Sequence, residues 1–326
     1  MEKFISCDWG TSSLRLRLVD ADAISVLAEV ASSQGISATF DLWNQDNKQE
    51  RISFYQSILT EQLKVLGEQI NFSLQNIPLI ISGMASSSIG MMELPYKEVP
   101  FYTDGQDLLV KLVEVESDFK HTILLISGVR TADDAMRGEE TQLIGSVNSN
   151  DKEEMLFIFP GTHSKHINVK NGEGISIKTF MTGEFFELLS KKSILSNNVE
   201  ETKDLLDAKN LKSFEQGVTD SLHSDILHAS FLVRTNQLFG KLSKQENYCY
   251  LSGLLIGTEL KGLANNSIPF TIVSDESLLK LYNAALQKLR IVNIKYLDAD
   301  KAIIKGHNKI YNLYKSKLNT GLSLIK

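Results

Sequence analysis

Two short stretches carry the residue types needed to hold a polyphosphate. Asp8-Trp9-Gly10-Thr11-Ser12-Ser13 follows an apolar run and precedes an alternating one. Gly10 lets the backbone come close to a ligand. Thr11, Ser12 and Ser13 supply hydroxyls and consecutive backbone N–H groups, which suit an anion. Asp8, at the end of the first expected strand, is placed to hold a hydrated Mg2+. Pro160-Gly161-Thr162-His163-Ser164-Lys165 repeats this chemistry and adds a cation in Lys165. Either loop alone reads first as an ordinary hairpin turn. Two of them in equivalent places read as phosphate loops that clamp a nucleotide triphosphate from both sides.

That equivalence comes from the elements that must position the loops. Residues 4–30 and 155–181 each show a short apolar run, a Gly-Thr turn, an alternating strand, a polar turn and a third strand. Gly10-Thr11 and Gly161-Thr162 lie 151 positions apart, as do Ile24-Ser25-Val26 and Ile175-Ser176-Ile177. A duplicated three-strand meander is expected, with domains at 1–150 and 151–326. The first is expected to carry a polar loop over 44–49, a helix over 51–69, strands over 77–82 and 122–127, and a helix over 132–146. In the second, a helix starts near Gly183 and a helical insertion covers about 200–265. Gly253 and Gly257 there allow close helix packing. A strand (270–274), helix (276–289), strand (291–297) and helix (299–314) follow, then a partly ordered tail over 315–326. Strands alternating with helices indicate an α/β fold.

Composition narrows the function classes. The chain has 326 residues, enough for about two domains, and a net charge of −6, which disfavours nucleic acid as a partner. No apolar run reaches a membrane-spanning length, and the N-terminus lacks the apolar core of a secretory leader. Cys7 and Cys249 sit in apolar surroundings without metal-ligand spacing and read as buried thiols in a reducing cytoplasm. Neither a Walker A loop nor a Rossmann fingerprint occurs. A homodimer is compatible with all of this.

The paired Gly-Thr hairpins, each followed by α/β units, resemble the actin/hexokinase/Hsp70 ATPase fold. That fold implies two related ribonuclease H-like domains with an interdomain nucleotide cleft. Ile81-Ser82-Gly83-Met84, the string from Met136 to Gly145 (MRGEETQLIG), Phe159 to Lys165, Met181-Thr182-Gly183-Glu184 and Leu251 to Gly257 occur in that order. Together they resemble the 2-dehydro-3-deoxygalactonokinase family, from Asp8 to about Gly306. The resemblance implies transfer of the ATP γ-phosphate, with Mg2+, to the 6-hydroxyl of a small sugar acid, 2-dehydro-3-deoxy-D-galactonate. Another sugar or sugar-acid kinase of this fold is the first alternative. A non-catalytic ATP-binding protein is the second; the chain shows neither a DNA-binding segment before Asp8 nor a long peptide-binding domain.

The resemblance also implies roles. Phosphoryl transfer to an alcohol needs a base and cations on the phosphates. Glu139, after Gly138, is the first choice as general base and stands near the metal with Asp8; Glu140 is its understudy. Asp133 and Asp134 are weaker candidates for the base, or only caps of the same helix. The substrate carboxylate calls for an arginine, Arg130 or Arg137, while Arg15 and Arg17 read equally as surface. Gly83, Met84 and Ser86, after an apolar strand, are expected at the sugar, with a plain surface loop as the alternative. Gly183 and Glu184 open a helix and are expected at the substrate, or as an ordinary helix start. His163 and Lys165 are expected on phosphate or substrate. For the nucleoside, Ser274, Asp275 and Glu276 stand where the superfamily carries a Gly-Gly pair. Asp275 or Glu276 bonds the ribose or caps the next helix.

Overall fold

The computed structural model describes residues 2–46, 49–148, 153–202, 204–205, 207–264 and 268–320. In chain order the first half forms β1 (Lys3–Trp9), β2 (Leu14–Asp20), β3 (Ser25–Ser32), α1 (Ile36–Asp46), α2 (Arg51–Gly67) and β4 (Leu79–Gly83). Short strands β5 (Lys97–Glu98) and β6 (Phe101–Tyr102) follow, then β7 (Val110–Val113), β8 (Ile123–Ile126), β9 (Val129–Arg130), β10 (Ala135–Met136) and α3 (Glu139–Ser146). The second half forms β11 (Met155–Phe159), β12 (Ser164–Lys170), β13 (Glu173–Phe180), α4 (Thr182–Glu187), α5 (Ala208–His223), α6 (Ile226–Leu238) and α7 (Lys244–Leu260). It ends with β14 (Phe270–Ser274), α8 (Glu276–Lys288), β15 (Ile294–Asp298) and α9 (Ala299–Thr320).

One sheet runs β3-β2-β1-β4-β8-β7, and another contains β15-β14-β11-β12-β13. Each begins as a meander, and its first strand then pairs in parallel with a later one, β1 with β4 and β11 with β14. Both therefore have the order third, second, first, fourth, fifth of a ribonuclease H-like domain, and the duplication is topological. The uniform spacing of 151 is corrected. The first turns, 10–13 and 160–163, are 150 positions apart, and β3 and β13 start 148 apart. The cause is turn length: Asn171-Gly172 closes the second hairpin in two residues, where the first uses Ala21 to Ile24.

The chain divides into two compact units. Unit 1 holds 1–153, 168–177 and the chain from Ala299 on; unit 2 holds 154–167 and 178–298. By sequence α9 falls after the 150/151 boundary but is free to pack back onto the first domain, and its contacts group it with the first half. Tip residues Glu173 and Gly174 of the β12–β13 hairpin likewise pair within unit 1, with Tyr102 and Phe101.

Within unit 1, strand alternation sorts the two faces of the sheet. Ile5, Cys7 and Trp9 of β1 join Leu14, Leu16, Leu18 and the α2 residues Tyr55, Leu59 and Leu63 in one core. The opposite face carries Phe4 stacked on Tyr311 of α9, and Ser6 bonded to His307 of α9. Two glycines let α9 lie against α3. A Cβ on Gly145 would sit 1.8 Å from the Ala302 carbonyl oxygen, and one on Gly306 would sit 2.0 Å from that of Thr141. Lys309 of α9 donates to the Ile144 and Val147 carbonyls, satisfying the end of α3.

In unit 2, α5 and α7 pack through glycines, as expected for Gly253 and Gly257. Cβ atoms there would meet the Phe214 carbonyl oxygen at 2.0 Å and Val218 Cα at 2.9 Å.

Five local expectations are corrected. The helix expected over 132–146 starts at Glu139. Upstream, Thr131 Oγ1 accepts the N–H groups of Asp133 and Asp134, which makes a tight turn between β9 and β10 rather than a cap. The loop expected from Asn44 is still helical in α1, and residues 315–320 extend α9 rather than forming a tail. Residues 47, 48 and 321–326 lie outside those described. Arg17 is 1% exposed and ion-paired to Glu29 and Asp300, so it is not a surface residue.

Candidate active site

The carboxyl ends of β1 and β4 lie side by side, with Asp8 opposite Ser82 and Trp9 opposite Gly83. Gly83 turns away from the sheet at φ +90°, where a Cβ would come 2.7 Å from the Trp9 carbonyl and 3.6 Å from Asp8 Oδ1. Gly138 has φ +111°, and its own Cβ would lie 3.5 Å from Gly83 Cα. Both positions therefore favour glycine on conformational grounds. The result brings Asp8, Gly83, Gly138 and the start of α3 together. Burial pushes the Asp8 carboxyl up, opposed by the charges of Arg15 and Arg17 and reinforced by Asp300.

Glu139 and Glu140 open α3 on different sides. Glu140 is fully buried; its carboxylate accepts Gly138 N–H at 2.8 Å and Thr141 Oγ1–H at 3.0 Å. Burial, and then the neighbouring charge of Glu139, push it up to about 8 against those hydrogen bonds. Glu139 is half-buried.

The substrate candidates separate. Arg137 donates to Ser86 Oγ at 2.7 Å and to the Leu94 carbonyl at 3.0 Å, with its guanidinium 3.9 Å from the Tyr96 ring centroid. Ser86 is thereby the partner of Arg137, beside Gly83 and Met84. Arg130 instead lies on β9, exposed, against exposed Glu98 of β5. The loop after β4 is held by α2, through Arg51 to the Ser88 carbonyl and Tyr55 to the Ile89 carbonyl.

In the first loop, Thr11, Ser12 and Ser13 are exposed. The carbonyls of Gly10 and Thr11 accept N–H groups of Ile36 and Ser37, so α1 fixes the loop from behind. In the second, Thr162 and His163 are exposed and a Cβ on Gly161 would meet nothing within 4 Å. Ser164 and Lys165 are buried and turned inward, Ser164 onto Glu259 and Lys165 onto Thr179. Gly183 and Glu184, expected at the substrate, gather in unit 2 with this loop. A Cβ on Gly183 would be 2.7 Å from the Gly161 carbonyl, and Glu184 pairs with His163 at 2.5 Å.

Beside Gly161, Thr182 and Gly183, unit 2 contains a cavity of about 230 Å3. Its walls are mainly apolar or aromatic: Phe186, Tyr248, Leu255, Ile256, Leu278 and Tyr282. Sequence reasoning found the apolar stripe of α7 but not the hollow it lines. Ser274, Asp275 and Glu276 do not line it. The Ser274 hydroxyl is buried without a hydrogen-bond partner among the described residues. Asp275 caps α8 through Ser277 and Leu278 N–H; burial opposes its charge, but those bonds and the Ser277 hydroxyl hold it below its usual range. Glu276 is exposed and paired with Lys280. Sequence reasoning also missed Glu259, a lone acid inside the apolar run from Leu251 to Leu260, which was itself a signal.

Among the described residues no three His, Cys, Asp or Glu side chains cluster as metal ligands. Asp8 as a single carboxylate fits a hydrated Mg2+, which is held by one or two carboxylates plus substrate phosphates. No helix among the described residues is long and apolar enough to cross a membrane.

A family model described as 2-keto-3-deoxy-galactonokinase matches residues 8–310. A protein of Rhizobium meliloti (strain 1021), assigned as a 2-dehydro-3-deoxygalactonokinase, is 30% identical over 93% of this chain and 94% of its own length. The 2-dehydro-3-deoxygalactonokinase of Escherichia coli (strain K12) is 27% identical over 88% of this chain and 90% of its own. A crystal structure of a Sinorhizobium meliloti protein, also assigned as a 2-dehydro-3-deoxygalactonokinase, matches with TM-score 0.78 and 28% identity over 99% of this chain and 98% of that one.

Proposed function

The chain belongs to the 2-keto-3-deoxy-galactonokinase family and is a sugar-acid kinase, and on that premise we propose that it transfers the γ-phosphate of ATP to the 6-hydroxyl of 2-dehydro-3-deoxy-D-galactonate. The observation that carries this reading to particular residues is the meeting of Gly83 and Gly138 beside Asp8. It sets Glu139, a half-buried carboxylate, at the carboxyl ends of β1 and β4, where ligands of α/β sheets gather.

Glu139 takes the proton of the attacking hydroxyl. Glu140 has no part in that transfer. Its side chain is fully buried and both its oxygens are already bonded at the start of α3, to Gly138 N–H and Thr141 Oγ1–H, so it is closed to the attacking hydroxyl. Arg137 and Ser86 orient the sugar acid, the guanidinium being fixed by Tyr96 and Leu94 before substrate arrives. Thr11, Ser12 and Ser13 in one loop, and Thr162 and His163 in the other, supply exposed donors for phosphate oxygens. The cavity of unit 2 accepts the adenosine on its apolar walls, which removes the need for Ser274, Asp275 and Glu276 to bind it. Asp8 would hold a hydrated Mg2+, which would supply positive charge beside the phosphate oxygens.

The test is a coupled assay of ADP release with a panel of 2-keto-3-deoxy acids and plain sugars. Turnover restricted to keto-deoxy acids supports the reading; preference for a neutral sugar overturns the substrate and the role of Arg137. ATP binding without turnover on any member overturns the activity.

A further inference from the structure

We propose that Glu259 is the positioning residue of the nucleotide side, a role that rests on the kinase reading above. Glu259 is 3% exposed near the end of α7. Its carboxylate accepts from Ser164 Oγ at 2.7 Å, Tyr282 OH at 2.7 Å, Thr182 Oγ1 at 2.5 Å and His166 Nε2 at 3.0 Å. A carboxylate offers about four acceptor sites and no donor, so these four side chains fill it.

The partners explain what is gained. Ser164 is the first residue of β12 after the loop 160–163, and His166 is two residues further on the same side of the strand. Thr182 opens α4, whose Gly183 abuts Gly161 and Thr162. Tyr282 comes from α8 and, with Thr182, lines the cavity. One buried acid therefore fixes the trailing end of the phosphate loop, the helix start packed against it and one cavity wall. Replacing a buried ionic group by packed apolar side chains is often neutral or stabilising, so stability alone does not account for an acid here. Fixing the mutual geometry of four elements does. Glu259 touches neither loop backbone nor cavity, so it acts through the groups it holds.

Glu259→Gln preserves shape but leaves one acceptor oxygen and turns an NH2 towards the donors. In the full-length protein it is expected to raise KM for ATP about tenfold or more, the loss that comes from unpairing buried donors. KM for the sugar acid is expected to stay within about twofold, because Ser86 and Arg137, the residues proposed to orient it, belong to unit 1. His166→Phe removes one donor that does not line the cavity and keeps the ring packed on Phe180; it is expected to give a smaller rise in the same constant. Kd for ATP, measured by calorimetry on each folded variant, should follow KM. Equal rises in both KM values, or unchanged ATP affinity in Glu259→Gln, overturn the role. If Glu259→Gln fails to fold, His166→Phe decides, and unchanged ATP affinity there overturns it. Calorimetry also separates the two readings. A wild type that binds ATP but phosphorylates no sugar acid refutes the substrate, while loss of ATP affinity in Glu259→Gln still supports positioning.

Discussion

The Glu140 carboxylate reaches back over Glu139 to accept the N–H of Gly138 at 2.8 Å. Through this bond the first turn of α3 closes on itself, in place of a side-chain cap from Gly138. Adjacent helix positions project about 100° apart, so burying Glu140 commits Glu139 to a different direction. The pair divides into an acid that fixes the helix start and an acid that remains half-buried.

Glu139→Gln is expected to lower kcat by about 10²–10⁴-fold with ATP affinity nearly unchanged, the usual weight of general-base help. Glu140→Gln is expected to cost less in kcat. Steady-state kinetics on both variants checks this; near-normal turnover in Glu139→Gln with loss in Glu140→Gln would show the roles reversed.

The raised Glu140 group predicts a pH dependence of stability. Its folded value of about 8 lies above the unfolded value near 4.5, so between those limits the folded state binds the extra proton. This group therefore makes stability fall as pH rises from about 4.5 to 8. Thermal melts of wild type and Glu140→Gln across that window should show the variant gaining relative stability towards the higher pH.

Gly145→Ala is expected to push α3 off α9, since its Cβ would lie 1.8 Å from the Ala302 carbonyl. Overpacking of this kind costs about 1–3 kcal/mol. Because α3 carries Glu139, kcat should fall as well, while ATP affinity is retained. Urea denaturation and kinetics on the folded variant measure the two effects separately.

His307 bridges Ser6 Oγ at 2.7 Å and Ser82 Oγ at 2.9 Å, fully buried. Burial, with the charge of Arg17, lowers it to about 3, so the imidazole stays neutral in the fold. The unfolded chain binds a proton that the folded one does not between about 6.5 and 3, so this contribution to stability is lost as pH falls through that range. His307→Ala is expected to cost about 1–3 kcal/mol for each hydroxyl left unpaired and to flatten the pH slope of stability below 6.5. Urea titrations at pH 5 and pH 7 test both.

Much of the framework was legible in sequence because it rests on neighbours a few residues apart. Strand alternation, the Gly-Thr turns and the glycines of α7 give the meanders and the α5–α7 packing. Gly83 and Gly138 could be read as turns, but that the two meet beside Asp8 required β1 and β4 to pair across seventy-odd positions. Alternation says that Ser164 and Lys165 point to opposite sides of β12; it does not say which side faces ligand. Packing settles that, since Glu259 on α7 and Thr179 on β13 take them both inward. Likewise Asp275 reads as either cap or ribose ligand until α8 turns its N–H groups onto it.

The sequence by itself determined the duplicated α/β framework, the two loops rich in hydroxyls and the acid pair after Gly138, because turn chemistry and side-chain period are local properties of the chain. Only the tertiary structure decided which acid is buried, which arginine meets Ser86 and where an apolar hollow opens beside Gly161. Those outcomes depend on which distant side chains remove water from a group or satisfy its hydrogen bonds. Desolvation and bond partners are properties of a packed interior, and no spacing along the chain encodes them.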